Sequence, residues 1–302
     1  MKAALLKEHG GIYFTNVEMP EIGEDEVLIR VHVCGVCTSD LGAWRHGLGK
    51  EIILGHEVVG EVCSAGRAVS GFSAGDRVTG SIPNGYSEYT KAKASNLIRL
   101  PDAVSDVEGM VEPIVCLLSG IGRIGAFKGK RICTIGAGFM GLNLIRLLKL
   151  LGCGELTVIE PRAALHGLAS EAGADRVLAS APEGETYPLV FEVSGSAGGI
   201  QLSGSLCEPY GKLIMVGYHP YRCEIDLAVW SARALEVILS FEYRRDRQLE
   251  YMRTAIDMTH SGGLMTKKLF THGYPFEELE TAFKESASKK DDFIKAYVRL
   301  SD

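Results

Sequence analysis

The first third of the chain is written in short apolar runs that alternate with turn residues. Residues 27–33 (VLIRVHV) and 58–62 are rich in β-branched side chains and bounded by Gly, Pro or acidic positions, as strands are. Gly75-Asp76-Arg77-Val78 predicts a turn entering another strand, and 86–91 (YSEYTK) one more. Short strands with Gly-rich turns predict a barrel-like or folded-sheet domain. Near residue 118 the period changes. An apolar strand at 131–135 (RICTI) is followed by a glycine-rich loop, a helical repeat over 142–151 and a strand at 156–159. Strands are expected again at 189–193, 213–216 and 237–240, with helical stretches between several of them. That alternation predicts a parallel doubly wound sheet and an α/β fold class. From about residue 267 the chain returns to a strand (LFTHGYPF), a short helix and a last strand (FIKAYVRL), a tail expected to pack on the first domain.

The loop between the first strand and helix of the second region is Gly136-Ala-Gly138-Phe139-Met140-Gly141. A tight turn, bare backbone beside a pyrophosphate and close helix–strand packing each need a glycine, and the helix N-terminus offers its unpaired N–H groups to phosphate. Glu160 ends the next strand, where an acid would bind a ribose 2′-hydroxyl and repel a 2′-phosphate, so NAD is favoured. Arg162, two residues on, softens that preference if it faces the cofactor; otherwise it is a solvated charge at a helix start.

Composition narrows the partners. The 302 residues have a formal net charge of −6, with both signs mixed and no Lys/Arg block, so a nucleic-acid partner is not expected. No apolar run is long enough for a membrane span, and the N-terminal MKAALLKEHGG lacks the apolar core of a signal peptide. Eight cysteines in a chain of this length fit a reducing compartment, and a cytoplasmic location is expected.

Cys37, His56, Glu57 and Glu112 have metal-ligand chemistry. Singly, each has an ordinary explanation: a buried thiol, a core histidine, a helix-start carboxylate. Their settings change the weighing: Cys34-Gly-Val-Cys-Thr-Ser-Asp40, Gly55-His-Glu57 with Val-Val-Gly60, and Val111-Glu-Pro113, all upstream of the glycine loop. Together with Gly75-Asp-Arg-Val78, Phe191-Glu-Val-Ser-Gly195, Gly211-Lys-Leu-Ile-Met-Val-Gly217 and Thr271-His-Gly-Tyr-Pro-Phe276, the chain resembles the zinc-dependent medium-chain alcohol dehydrogenases over nearly its whole length.

The resemblance implies a GroES-like β-rich catalytic domain (1–117 with 266–302) and a Rossmann NAD-binding domain (118–265). It implies one catalytic zinc held by Cys37, His56 and either Glu57 or Glu112, with Asp40 hydrogen-bonding the histidine's other nitrogen and Ser39 starting a proton relay. The reaction implied is NAD-linked interconversion of a secondary alcohol and its ketone, in a homodimer or homotetramer. Trp44 and His46-Gly47 resemble the sorbitol and polyol dehydrogenase branch, which points to a polyol, sugar alcohol or cyclitol. Two alternatives are a zinc-free NADPH-dependent quinone or enone reductase of the same fold, and a non-catalytic dinucleotide-binding protein.

The chain also departs from that family. No cysteine occurs between Cys63 and Cys116, so the lobe that holds a second, structural zinc is missing, and 81–84 is expected to form a compact loop. Gly42 stands where a histidine often passes the relayed proton to solvent. Glu242 stands where polyol enzymes tend to carry an arginine; it either reaches the substrate or is a surface acid.

Overall fold

In the computed structural model, which describes residues 1–219, 222–290 and 292–300, two compact units separate. One comprises Met1–Pro113, Arg244–Ser261 and Thr266–Asp302; the other comprises Ile114–Tyr243 and Gly262–Met265.

The first unit is built on the long strand Glu26–Gly35, which is antiparallel to Glu57–Ala65, to Tyr89–Lys93 and to Ala296–Arg299. Beyond Glu57–Ala65 lie Arg77–Gly80 and Leu97–Arg99, and beyond Ala296–Arg299 lies His272–Pro275. Alternate residues Val27, Ile29, Val31 and Val33 of the central strand are buried, as a period of two requires. A smaller sheet joins Ile12–Asn16, Lys2–Leu6 and Ile52–Ile53. The expected strand at 86–91 begins later, at Tyr89, because Gly85 and Tyr86 donate their N–H groups to Gly55 and Leu54. Tyr86 is thereby released from the ladder and turned inward. In the tail, Thr266–Leu269 is a helical turn and only Ala296–Arg299 of the last apolar run is strand.

The helix Leu279–Ser288 buries Leu279, Ala282, Phe283 and Ser286, an i, i+3, i+4, i+7 face. Phe283 packs edge-on against both Trp44 and Tyr86, at 5.9 and 5.5 Å between ring centroids. The tail helix thus braces the helix Thr38–His46, and burial of a ring such as Phe283 contributes about 1.5–3 kcal/mol.

One boundary drawn from sequence is corrected. The helix Arg245–His260 falls inside 118–265, yet it packs on the helix Asp106–Gly109 and the strand Leu97–Arg99 of the first unit. Its apolar face, Leu249, Met252, Ala255 and Ile256, signals a helix without saying which core receives it.

The second unit is a six-stranded parallel sheet in the order Arg176–Leu178, Leu156–Ile159, Ile132–Ile135, Tyr187–Glu192, Cys207–Met215, Glu236–Leu239. Numbered along this unit, that is 3-2-1-4-5-6, the doubly wound dinucleotide-binding order. The helix Phe139–Leu150 is buried over most of its surface from Gly141 to Leu148, which explains its mostly apolar sequence, and Arg146 and Lys149 lie on its less buried side. Among the described residues no helix is long and apolar enough to cross a membrane.

Candidate active site

Gly35 lies directly opposite Glu57 across two strands of the first unit. A Cβ at Gly35 would overlap the Glu57 carboxylate, so the strands close here only with glycine. Gly55 adopts φ of 92° with Cys34 Sγ and the Tyr86 backbone against it, turning the chain into His56. Cys37 stands at the N-cap of Thr38–His46. One donor atom each from Cys37, His56 and Glu57 then lies within 4.8 Å of the others. Sulfur, nitrogen and oxygen around one point are the donors of a catalytic zinc with a position left open.

The state of Glu57 tests whether a cation fits. Its side chain is wholly buried; Oε1 accepts a hydrogen bond from Lys295 Nζ at 2.9 Å, while Oε2 is buried without a hydrogen-bond partner. An orphaned carboxylate oxygen is costly in a dry interior, and an ion shared with Cys37 and His56 would satisfy it. Glu112 stands outside the group of three but is close enough to interact with it. Burial raises its carboxyl, His56 lowers it and Glu57 raises it again, to about 7. Burial pulls the His56 imidazolium down, but the Cys37 sulfur, Asp40 and Glu112 more than offset that and hold it up to about 11. The site therefore concentrates negative charge where water is scarce, which favours a cation.

Asp40 is buried on the same helix as Cys37. Its Oδ2 accepts from the Tyr86 hydroxyl at 2.8 Å and the Cys37 N–H at 3.2 Å, and its Oδ1 lies 3.6 Å from His56 Nδ1. Ser39 is half-buried in the first turn of that helix. Sequence reasoning missed Tyr86 and Lys295. A visible signal for Lys295 was a lysine inside the apolar run 293–298, since lysine is almost never buried unpaired. Lys295 also donates to the Val36 carbonyl at 3.1 Å. Burial, then Asp40 and Glu57, push the Cys34 thiol well above the usual range, which disfavours a redox role beside Cys37.

In the second unit the three glycines of the loop differ in their surroundings. Gly136 turns with φ of 105° against Ser194, at the point where the sheet reverses its strand order. A Cβ on Gly141 would overlap the Gly136 carbonyl, so the helix packs tightly on the turn. Gly138, the N-cap residue, has open space apart from Arg162 Nη2, 3.7 Å from where its Cβ would stand. Phe139 and Met140 open the helix that follows this N-cap, and the first turn of a helix carries N–H groups without partners inside the helix. Glu160 is buried and accepts from Ala137 N–H at 2.8 Å. Arg162 is not a solvated helix-start charge: its guanidinium is folded onto Glu160, with Nε 3.0 Å from Oε1. Glu242 is buried between exposed Phe241 and Tyr243, not a surface acid.

Compared with known proteins, residues 23–128 match the model of the alcohol dehydrogenase GroES-like domain. The chain is 28% identical to an uncharacterized zinc-type alcohol dehydrogenase-like protein of Escherichia coli, YdjJ, covering 99% of each. That alignment has 348 positions, so the relative carries residues this 302-residue chain lacks. It is 27% identical to the sorbitol dehydrogenase of Rattus norvegicus, over 93% of this chain and 90% of the relative. A solved Escherichia coli oxidoreductase/dehydrogenase of unknown specificity superposes with a TM-score of 0.88 at 26% identity, covering 100% of this chain and 99% of its own.

Proposed function

We propose that this chain, which belongs to the zinc-dependent medium-chain alcohol dehydrogenase family and its sorbitol dehydrogenase-like branch, interconverts a secondary alcohol of polyol, sugar-alcohol or cyclitol type and its ketone. The observation that carries this reading is the convergence of Cys37, His56 and the half-satisfied Glu57 on one point. When bound, zinc supplies Lewis-acid stabilisation for an alcohol that has lost its proton, and a nicotinamide dinucleotide supplies the hydride acceptor. The chain's own residues do the rest. Asp40, held by Tyr86 and the Cys37 N–H, places its carboxylate 3.6 Å from His56 Nδ1, the side on which an acid favours the tautomer that leaves Nε2 for a metal. Lys295 donates to Glu57 from behind and so orients the carboxylate. Ser39 takes the alcohol's proton. Gly136 makes the turn, Gly141 lets the helix close on it, and Gly138 leaves the backbone bare for a pyrophosphate. Glu112, outside the converging three, is the second carboxylate within electrostatic reach of them.

The test combines elemental analysis with NAD(P)-linked absorbance across a panel of polyols and cyclitols. About one zinc per chain and turnover on a vicinal diol or sugar alcohol are expected. Protein that takes up no zinc, or that holds zinc but reduces only enones, returns the argument to the other activities of this fold.

The proposal extends to self-association. At the edge strand Glu236–Leu239 and just beyond, every second residue is apolar and exposed: Val237, Leu239 (62%), Phe241 and Tyr243 (90%). Ile238, Ser240 and Glu242 between them face inward. The opposite edge strand, Arg176–Leu178, is instead tied up by Arg176 with Glu155 and Glu185. An exposed apolar edge invites pairing, and two copies related by a two-fold axis would cover it. In sedimentation velocity the parent should run as a homodimer or homotetramer. Leu239→Lys with Phe241→Glu should run near the 32.6 kDa of one chain. Equal sedimentation of parent and variant would refute the interface.

A further inference from the structure

A carboxylate offers about four lone-pair positions to donors. At Glu160 four N–H groups of the protein already claim them. Oε2 accepts from Ala137 N–H at 2.8 Å and from Arg162 Nη2 at 3.3 Å. Oε1 accepts from the Arg162 backbone N–H and from its Nε, both at 3.0 Å. Such a residue is a poor acceptor for a ribose hydroxyl, because each new bond displaces or splits an existing one. Its charge is also cancelled at close range by a guanidinium that is only 29% exposed, so the usual repulsion of a 2′-phosphate is weakened where solvent screens little.

Position matters as much as charge. Arg162 Nη2 reaches over Gly138, the one glycine of the loop with open space before it, so the cation borders the place left for the dinucleotide. A guanidinium binds phosphate by paired, charge-assisted hydrogen bonds, and with five N–H donors it can keep Nε on Glu160 while its outer nitrogens turn to a phosphate placed there. Ala137 N–H and the Arg162 backbone N–H would still hold Glu160 in place.

We infer that Arg162 sets the cofactor preference of this chain, and that it accepts the 2′-phosphorylated dinucleotide NADP about as well as NAD. The inference rests on the dinucleotide-binding reading of the glycine loop and moves the preference for NAD that Glu160 implies by itself.

Calorimetric titration of the folded protein with NAD⁺, NADP⁺, 5′-AMP and adenosine 2′,5′-bisphosphate tests it without any turnover. NADP⁺ should bind within about tenfold of NAD⁺, which is about 1.4 kcal/mol, and the bisphosphate more tightly than 5′-AMP. Arg162→Ala should weaken NADP⁺ and the bisphosphate at least about tenfold while leaving NAD⁺ unchanged or tighter. Arg162→Lys keeps the charge and loses the fork, and should fall between the two. A more than tenfold preference of the parent for NAD⁺ overturns the inference, as does an equal loss of both dinucleotides in Arg162→Ala. Binding of neither dinucleotide by the parent would instead remove the reading beneath it.

Discussion

Cys37→Ala and His56→Ala proteins are expected to carry less than about a tenth of an equivalent of zinc, where the parent carries about one. Each substitution removes one of three converging donors, and two donors in a partly open site do not compete with water for the ion. Turnover should fall at least about 10³-fold, since several kcal/mol of Lewis-acid stabilisation is lost and each 1.4 kcal/mol is tenfold. The fold should survive, because Cys37 and His56 are both partly exposed and neither belongs to the first unit's apolar core. Elemental analysis and a melting curve on the same preparation separate the outcomes. A variant that keeps its zinc, or loses it and remains fully active, would sink the proposed site. Glu112→Gln is the comparison that divides the carboxylates. Glu57 belongs to the converging group and Glu112 does not, so Glu57→Gln should lose more zinc affinity than Glu112→Gln.

Lys295→Met should destabilise the zinc-free protein by about 3–5 kcal/mol, the cost of leaving one partner of a buried ion pair uncompensated. The Lys295–Glu57 pair is 2.9 Å apart, with Glu57 wholly buried and Lys295 nearly so. Burial alone pulls the ammonium down, but Glu57 and then Cys37 more than offset it, so Lys295 is held above the ordinary lysine range. Zinc should restore part of the loss in Lys295→Met, because the ion takes over as the counter-charge of Glu57. Adding Glu57→Gln to Lys295→Met should also recover stability, since the stranded charge is gone, but zinc should then restore nothing. Urea midpoints of the parent, Lys295→Met, Glu57→Gln and the double variant, each with and without zinc, read this coupling directly. Equal stability of parent and Lys295→Met without zinc would show that the pair does not balance the carboxylate.

What was legible from the sequence depended on how local the physical constraint is. The glycine loop, the strands on either side of it and the acid at Glu160 follow one another along the chain. Each is fixed by backbone conformation within a few residues, and the pattern of Gly136, Gly138 and Gly141 states its own geometry. The strand period of 27–33 and the helical period of 142–151 are likewise short-range, and both elements formed close to the expected positions. The motifs around Cys37 and His56 singled out the residues that come together, because Gly35 and Gly55 are demanded by the same close approach that joins them.

Tertiary structure decided the rest, where partners lie far apart in sequence. Lys295 meets Glu57 across 238 positions, and Tyr86 meets Asp40 across 46; no local period predicts either pair. The helix Arg245–His260 announced an apolar face, but which unit it would join depended on the surfaces offered by other elements. Arg162 was visible beside Glu160, yet only the folded turn shows both carboxylate oxygens occupied. Residue type and spacing determine which chemistry is available. Burial and pairing, which appear only when distant segments close on one another, determine which groups keep a free valence for a ligand.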